Sequence, residues 1–385
     1  MLIGESHRFA FAALQLLSPD PLANFIVPLE QTATQKQTEL RRLFAGEYRG
    51  DEESLYRQFR EGGHWHPLPR ERKKCPQALA VDGGSRRLDL ANGSVLLIAQ
   101  ALVLGEEIEE ALVDIEVVRG GVPRATADRF ADLFLQRLEV HLAAEHVQQL
   151  DGEGMLLIDG ALYSGLPQLY PLRAEGLEDL TQQLVEDYVL LFNACDSECS
   201  VVSVAKSSRE SLLSYLLQKE AGIPEAEHLG IPDSEIIYRW TEHTAGFSTP
   251  VLLGTRSFTA GSSRALLEPG SPVAQMPAIV SFFLRPEDFA PAWRVDVPGI
   301  CVGRKEKIVE LEATWAAPGE LEPIVAALLA DYGGPQVYHA LLYTADQEAR
   351  LTTDRMMEIY VPLLEEILEL KLTPTLSSAR FLGWD

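Results

Sequence analysis

Ala78-Leu79-Ala80-Val81-Asp82-Gly83-Gly84-Ser85-Arg86-Arg87-Leu88-Asp89-Leu90-Ala91-Asn92-Gly93-Ser94-Val95 decides how this chain is read. Four apolar residues run into a carboxylate and a glycine pair. Arg87-Leu88-Asp89-Leu90 then alternates polar with apolar, the period of a half-buried strand. Asn92-Gly93 is a strong two-residue hairpin signal, because both types tolerate the positive φ of a type I′ turn. A further strand is expected from Val95. Strands joined this tightly are antiparallel neighbours. The stretch therefore predicts a three-strand meander, with strands at 78–81, at 87–90 and from 95.

Downstream the period changes. Phe130, Leu133, Phe134, Leu138 and Leu142 form an apolar helical stripe within 123–149. Met155 to Ile158 reads as a buried strand that again ends in Asp-Gly, at Asp159-Gly160. A helix is expected over 177–192, a strand over 201–205 ending in Lys206, and a helix over 208–219, with Ser207 and Ser208 placed to cap it. The order over 77–220 is three strands, helix, strand, helix, strand, helix. That predicts an α/β mixed sheet, an antiparallel meander feeding αβαβα crossover units, which is the element order of the ribonuclease-H-like fold. Beyond 220, strands are expected over 249–254, 278–284, 293–297 and 337–343, and helices over 321–329 and 356–370, a mixed C-terminal extension. Upstream, Leu40, Leu43, Phe44, Leu55 and Phe59 have helix-like spacings before Gly62-Gly63, Pro67 and Pro69. The expected division is a helical extension over 1–70 and a main domain over 71–385.

Composition bounds the function. The chain has 385 residues, 46% of them hydrophobic and 23% charged, which is globular usage. A net charge of -24 argues against broad, sequence-independent grip on nucleic-acid phosphates, which needs Lys and Arg. A local basic lining, or a partner that holds the substrate, is compatible with it. The four cysteines give no disulfide framework and suggest a reducing compartment. The longest apolar run, 95–104, is too short to span a bilayer. The opening stretch, from Met1 through Glu5 and Arg8 to Leu17, reads as an amphipathic helix rather than a signal peptide. A cytoplasmic protein with no membrane partner is expected.

Two apolar strands end in the same device, Ala80-Val81-Asp82-Gly83 and Leu157-Ile158-Asp159-Gly160. Each places a carboxylate at the rim of the sheet, where burial is expensive unless the charge is paired or holds a metal. Glycine next to it lets the chain turn and a ligand come close. In the expected fold the two strands are adjacent, and a divalent cation relieves the repulsion of two facing carboxylates. Phosphodiester hydrolysis uses such a set with two metal ions about 4 Å apart. A simple Asp-Gly turn explains either dipeptide alone. A third acid would come from the helix between, with Glu139 and Glu145 both candidates. Lys206, at the same rim, could meet a phosphate as a point charge or stand solvated at a strand end.

Taken together, Ala80-Val81-Asp82-Gly83-Gly84-Ser85-Arg86-Arg87, Leu157-Ile158-Asp159-Gly160-Ala161-Leu162, Val204-Ala205-Lys206-Ser207-Ser208, Tyr238-Arg239-Trp240 and Tyr338-His339-Ala340-Leu341-Leu342-Tyr343-Thr344-Ala345-Asp346 resemble, in that order, the motifs of the NurA nuclease family. The resemblance covers about 77–350. It implies a ribonuclease-H-like, manganese- or magnesium-dependent DNA nuclease with two ions. It also implies 5′ to 3′ exonuclease and single-strand endonuclease activities in end resection and double-strand break repair. Such enzymes act on DNA ends and single strands as homodimers docked on a hexameric HerA-type ATPase. By motif, Asp82 and Asp159 match the metal-binding aspartates, and Glu139 in Arg137-Leu138-Glu139 best matches the helix acid. Tyr338 and Asp346 match the C-terminal active-site pair, where some relatives carry histidine at the position of Asp346. Aspartate there keeps a ligand role but is no cationic acid near neutrality. Set against this, Asp346 could be a helix N-terminal aspartate and Tyr338 a packed aromatic.

Other features are weaker. His64-Trp65-His66 lacks nearby acids in sequence, and Cys195 with Cys199 lacks a second ligand pair for zinc. Gly83-Gly84-Ser85 is not followed by the lysine of a P-loop. Two other readings compete with the nuclease. An actin-like sugar or acid kinase also uses Asp-Gly turns but would need a second glycine-rich loop. A non-catalytic adaptor of a DNA-translocating ATPase would have no need of intact acids.

Overall fold

The computed structural model describes residues 23–44, 52–150, 153–166, 179–195, 200–206, 208, 210–224, 228, 230–254, 272–309 and 311–375. The amphipathic helix expected at the start of the chain and Ser207 lie outside the described residues. The chain divides into two compact units, Met1–Glu52 and Glu53–Asp385. The first carries helices α1 (Ala23–Gln35) and α2 (Gln37–Phe44). The helix α3 (Glu52–Glu61) buries Leu55 and Phe59, four residues apart on one face. Strand β1 (Trp65–His66) pairs with β7 (Gly246–Ser248). Residues 53–70, read from sequence as part of the helical extension, thus lie in the second unit. No helix among the described residues is long and apolar enough to cross a membrane.

The other strands of the same sheet are β2 (Gln77–Asp89), β3 (Val95–Gly105), β4 (Glu109–Val118), β5 (Gly154–Asp159), β6 (Ser200–Ala205), β8 (Val251–Leu253), β9 (Ile279–Arg285), β10 (Trp293–Pro298) and β11 (Thr314–Trp315). Among the described residues they form one 11-stranded sheet in the order β1-β7-β9-β10-β6-β5-β2-β3-β4, with β8 on β9 and β11 on β8. The pairs β2–β5 and β5–β6 are parallel, and their neighbours β3, β4, β10 and β9 run antiparallel to the strands they pair with. The chain is therefore a mixed α/β protein with helices on a large mixed sheet. Its central strands are continuous apolar runs, as expected of strands covered on both faces.

The meander is present but partitioned differently from the sequence reading. Residues 77–89 make one unbroken strand rather than two. Asp82, Gly83 and Gly84 stay in register with Leu102, Ala101 and Gln100, so the first Asp-Gly makes no turn. The hairpin is at Asn92-Gly93, with Gly93 at φ 83°. The third member is β4, which the sequence reading passed over. It is an edge strand whose Glu109, Glu110, Asp114 and Glu116 leave no core-facing alternation to detect.

Helix α4 (Arg124–Val147) packs against α5 (Asp179–Ala194) and on β2 and β3. Helix α6 (Leu212–Glu220) is not capped by Ser208. Its first-turn N–H groups at Leu212 and Ser214 donate to the buried carboxylate of Asp233, at 2.9 and 3.0 Å. Asp233 itself opens α7 (Asp233–Trp240). Helix α8 (Glu322–Ala330) leads into a small hairpin of β12 (Tyr332–Gly334) and β13 (Tyr338–His339). The strand expected over 337–343 stops after His339. From Ala340 the chain is helix α9 (Ala340–Ala349), which buries Leu342, Ala345 and Ala349. A short apolar run reads equally as strand or helix, and here the 3.6-residue spacing beyond it decides. The closing helix expected over 356–370 is a π-helical turn, Met356–Tyr360, followed by α10 (Val361–Leu368).

Candidate metal centre

Strand register brings the two aspartates together. The parallel pairing of β2 with β5 ends at Val81 and Ile158, so Asp82 and Asp159 are the next residues on each strand. On the other side Asp159 pairs with Val204, two residues before Lys206. Beyond this rim β2 continues beside β3 alone. Asp82 is therefore a mid-strand residue at the place where its neighbour strand stops. Asp159 does end its strand, and Gly160 follows at φ 110°, a conformation only glycine adopts freely.

The glycine pair serves packing rather than turning. Successive strand residues face opposite sides of the sheet. A Cβ on Gly83 would lie 2.8 Å from Glu139 Oε1 and 2.8 Å from Leu135 Cδ1, both on α4. A Cβ on Gly84 would lie 2.6 Å from the Ala349 carbonyl and 2.7 Å from the Leu351 nitrogen, at the end of α9. The two glycines thus let helices approach from opposite faces, one carrying Glu139 and the other Asp346.

Carboxylate oxygens of Asp82, Asp159 and Asp346 lie within 4.8 Å of one another. Lys206 Nζ is 2.7 Å from Asp159 Oδ2 and 3.2 Å from Asp346 Oδ1. The Tyr338 hydroxyl donates to Asp159 Oδ2 at 2.9 Å, and Lys206 Nζ is 4.6 Å from the Tyr338 ring centre. Tyr338 has φ 44°, an uncommon and strained conformation for a bulky residue. It is held there by β13 and by packing against Trp293 and Tyr343.

The electrostatics show what the cluster lacks. Burial, then the charge of Asp159, pushes Asp82 up to about 7, although the Gly83 N–H donates to it at 2.7 Å. Burial, then Asp82 and Asp159, holds Glu139 well above the ordinary glutamate range. Partial burial works against the Lys206 cation, but Asp159 and Tyr338 more than offset it and raise Lys206 above the usual lysine value. Tyr338 is raised by burial and by Asp159, so its hydroxyl keeps its proton near neutrality. One lysine does not neutralise four acids. The donor set is all carboxylate oxygen, which suits a hard divalent cation.

Of the six residues singled out from sequence, Asp82, Asp159, Lys206, Tyr338 and Asp346 come together here, and Glu139 lies beside them behind Gly83, near enough for the charges of Asp82 and Asp159 to act on it. Glu145 does not join them: it is exposed and lies 3.5 Å from His141. Asp346 is in the last half of α9 rather than at its N-terminus, where the dipole disfavours an anion. The histidines at 64 and 66 both point to the Thr249 hydroxyl, at 3.2 and 2.9 Å, on the far edge strands. The sequence reading missed a second tier behind the site. Arg294 and Asp296 alternate along the buried strand β10, 2% and 0% exposed. Asp296 accepts from the Tyr163 N–H at 3.0 Å, and Ser203 Oγ accepts from the Leu162 N–H at 3.1 Å. Together with the bond from the Gly160 N–H to the Val204 carbonyl, 3.0 Å, they pin the turn after Asp159. The available signal was two charges on one face of an otherwise apolar strand, which demands a partner.

A mixed sheet that gathers acids, a lysine and a tyrosine at one rim defines an α/β protein with a candidate cation-binding centre. The NurA domain family matches residues 76–351, from the start of β2 past Asp346, and the chain belongs to that family. No curated protein matches it. Among solved structures it is similar to the NurA nuclease from Sulfolobus solfataricus, with a TM-score of 0.57 and 14% identity over 89% of this chain and 98% of that one. It is also similar to NurA bound to dAMP and manganese, with a TM-score of 0.53 and 12% identity over 91% and 98% of the two chains. A further NurA structure matches with a TM-score of 0.50 and 13% identity over 88% and 97%. At these identities the likeness is one of fold.

Proposed function

We propose that this protein is a divalent-metal-dependent deoxyribonuclease that hydrolyses phosphodiester bonds. The observation that carries the reading is the convergence of Asp82, Asp159 and Asp346, from three distant stretches, to within 4.8 Å. Glu139 adds a fourth carboxylate from α4. The half-sheet β4-β3-β2-β5-β6, with β2 antiparallel to β3 and parallel to β5, supports reading this part as ribonuclease-H-like. The manganese named for a structural neighbour is consistent with the donor set.

Asp82, Glu139, Asp159 and Asp346 would hold manganese or magnesium, with oxygens enough for two ions. A bound divalent ion supplies Lewis-acid activation of water and charge stabilisation at phosphorus oxygens. The chain's own residues do the rest. Lys206, fully cationic, meets the non-bridging oxygens of the scissile phosphate as a point charge. Tyr338 keeps its proton and donates it in a hydrogen bond, which fixes the orientation of the Asp159 carboxylate. Burial and mutual repulsion raise both Asp82 and Glu139, a cost that a bound cation would relieve. The reading extends to the family's traits: 5′ to 3′ exonuclease and single-strand endonuclease action in break repair, a homodimer, and a HerA-type ATPase that feeds DNA to it. A feeding partner would offset the weak phosphate grip of a chain with net charge -24.

The test is degradation of end-labelled single-stranded DNA with manganese and no nucleotide, by the wild type and by Asp82→Ala and Asp159→Ala. The expected result is cleavage by the wild type and loss in both variants. Undiminished cleavage by either variant rejects the site.

A further inference from the structure

Three aromatic rings, Tyr238, His243 and Phe289, form an open cluster on the same rim as the acidic cluster, and none of them belongs to it. Phe289 is 80% exposed and Tyr238 61%. The His243 and Phe289 rings are stacked, centres 5.5 Å apart and planes 22° from parallel, and Tyr238 meets His243 edge-on at 4.8 Å. Both His243 and Phe289 have positive φ, 58° and 65°. A bulky side chain in that conformation is strained, and an exposed phenyl ring gains nothing from burial. Neither cost is offset by contacts of Phe289 with the core.

The aromatic cluster is nonetheless rigidly built. The Phe289 N–H donates to the His243 carbonyl at 2.8 Å, and the Ala245 N–H to Asp288 Oδ1 at 2.7 Å. Beneath them the buried Arg285 side chain donates to the carbonyls of Ile237, Thr244 and Ala290, at 3.2, 3.3 and 3.1 Å, and to the Thr241 hydroxyl. One guanidinium thus ties the end of α7, the 241–245 turn and the β9–β10 turn into one unit. The acids at its edge are engaged: Glu242 with Arg60 at 2.9 Å, Glu287 with the Tyr332 hydroxyl at 2.9 Å, and Asp288 with Ala245.

Its place is fixed by register. Arg294 pairs with Ala205, the residue before Lys206, so the turn between β9 and β10 projects from the rim that carries Asp159 and Lys206. Trp293 bridges the two, its ring 5.6 Å from Tyr332 and 6.2 Å from Tyr338. Strand spacing and rise put the aromatic cluster roughly 15–20 Å from the acids.

We infer that Tyr238, His243 and Phe289 form a stacking platform for the bases of a single nucleic-acid strand whose phosphate lies at the acidic cluster. Ring faces accept any base and need no positive charge, which suits a chain that cannot rely on phosphate attraction. The inference rests on the nuclease reading for its ligand.

The test uses the full chain with calcium in place of manganese, so that a cation sits at the acids while binding is read, and gel analysis of the same labelled strand checks that it stays uncut. Fluorescence anisotropy compares labelled (dT)20 with a duplex for the wild type, Phe289→Ala, Phe289→Trp and the double variant Tyr238→Ala/Phe289→Ala. Both rings are exposed, so the fold should survive their truncation, and circular dichroism checks it. Phe289→Ala is expected to weaken (dT)20 binding about 5-fold or more, and the double variant further. The loss should be larger than for duplex and alike at low and high salt, and Phe289→Trp should retain binding. Photo-crosslinking with 5-iododeoxyuridine in the strand should label peptides containing 238, 243 or 289. Wild-type affinity in the double variant, or cross-links only elsewhere, overturns the platform. Failure of the wild type to cut DNA with manganese would remove the nuclease reading separately, because the cross-links judge the platform without catalysis.

Discussion

Lys206 bridges the gap between two strands to reach Asp159, its Nζ 2.7 Å from Oδ2, and in doing so becomes the one cation beside the acidic cluster among the described residues. A lysine in that place has two opposed effects. It lowers the repulsion among acids when metal is absent, and it competes with metal for the same oxygens. Lys206→Ala is therefore expected to bind manganese more tightly than the wild type while cutting slower, on the order of 100-fold in single-turnover rate. Manganese titration alongside quench-flow kinetics checks both halves. A variant that lost affinity and kept its rate would show that the lysine belongs to neither role.

The raised Asp82 ties stability to pH. Its folded value is about 7 against an ordinary 3.8, so the native state holds a proton there that the unfolded chain has released. That contribution is complete below about pH 4 and is lost as pH climbs through about 7; Glu139 acts in the same direction. Its ceiling for Asp82 is on the order of 4 kcal/mol. Metal-free protein is expected to melt at lower temperature at pH 8 than at pH 5.5, and manganese to remove most of the difference. Binding should also release protons below pH 7. Calorimetry in buffers of different ionisation enthalpy measures that release, and its absence would mean that the metal does not meet Asp82.

The choice between the two helix acids is now testable. Glu139 approaches Gly83 so closely that no side chain fits between them, whereas Glu145 is exposed with His141 as its neighbour. Glu139→Gln should lower manganese affinity and activity by tenfold or more, in line with loss of a ligand or its support. Glu145→Gln should change stability by under about 0.5 kcal/mol and activity not at all. Equal effects of the two would return the question to where the sequence left it.

The residues of this candidate site stand out in the sequence, while parts of the fold around it do not. Asp82, Asp159 and Lys206 were legible because each interrupts an apolar run, which costs energy unless something pairs with it. Asp346 and Tyr338 were found by resemblance alone, and local pattern misplaced the segment between them as a strand, since Leu341-Leu342 fits either period. The glycine pair misled for a physical reason. Gly83-Gly84 has the composition of a turn, but its purpose is to admit helices from both faces, and that depends on partners far away in sequence. Strand β4 was invisible because an exposed edge strand has no core side to show.

The close packing at Gly83 and the positive φ of Gly160 make both glycines sensitive to substitution. Gly83→Ala places a methyl group 2.8 Å from Glu139 Oε1 and 2.9 Å from the Gln100 carbonyl, atoms that cannot both retreat. The expected cost is about 1–3 kcal/mol of stability, with activity falling further because Glu139 must move. Gly160→Ala meets nothing within 4 Å, but φ 110° strains it and tilts Asp159. Chemical denaturation with paired activity assays separates the two, since overpacking and backbone strain predict similar stability losses but different sets of displaced acids.

The pair behind the site separates positioning from folding. Arg294 Nε donates to Asp296 Oδ1 at 2.8 Å in a region with almost no solvent, while Oδ2 holds the Tyr163 N–H at 3.0 Å. Asp296→Ala leaves both the guanidinium and that N–H without their carboxylate, and is expected to destabilise by about 3–5 kcal/mol. A loss of activity in that variant alone would say little. The double change Arg294→Met with Asp296→Leu removes both charges together, and such replacements of buried pairs are often neutral or stabilising. It still removes the carboxylate to which the Tyr163 N–H donates and loosens the turn after Asp159. The double variant is therefore expected to melt near the wild-type temperature, yet to cut at least tenfold slower and bind manganese more weakly. If it melts and cuts like the wild type, the pair serves only the core, and the geometry of Asp159 is set by the Gly160 and Leu162 bonds to β6 without it.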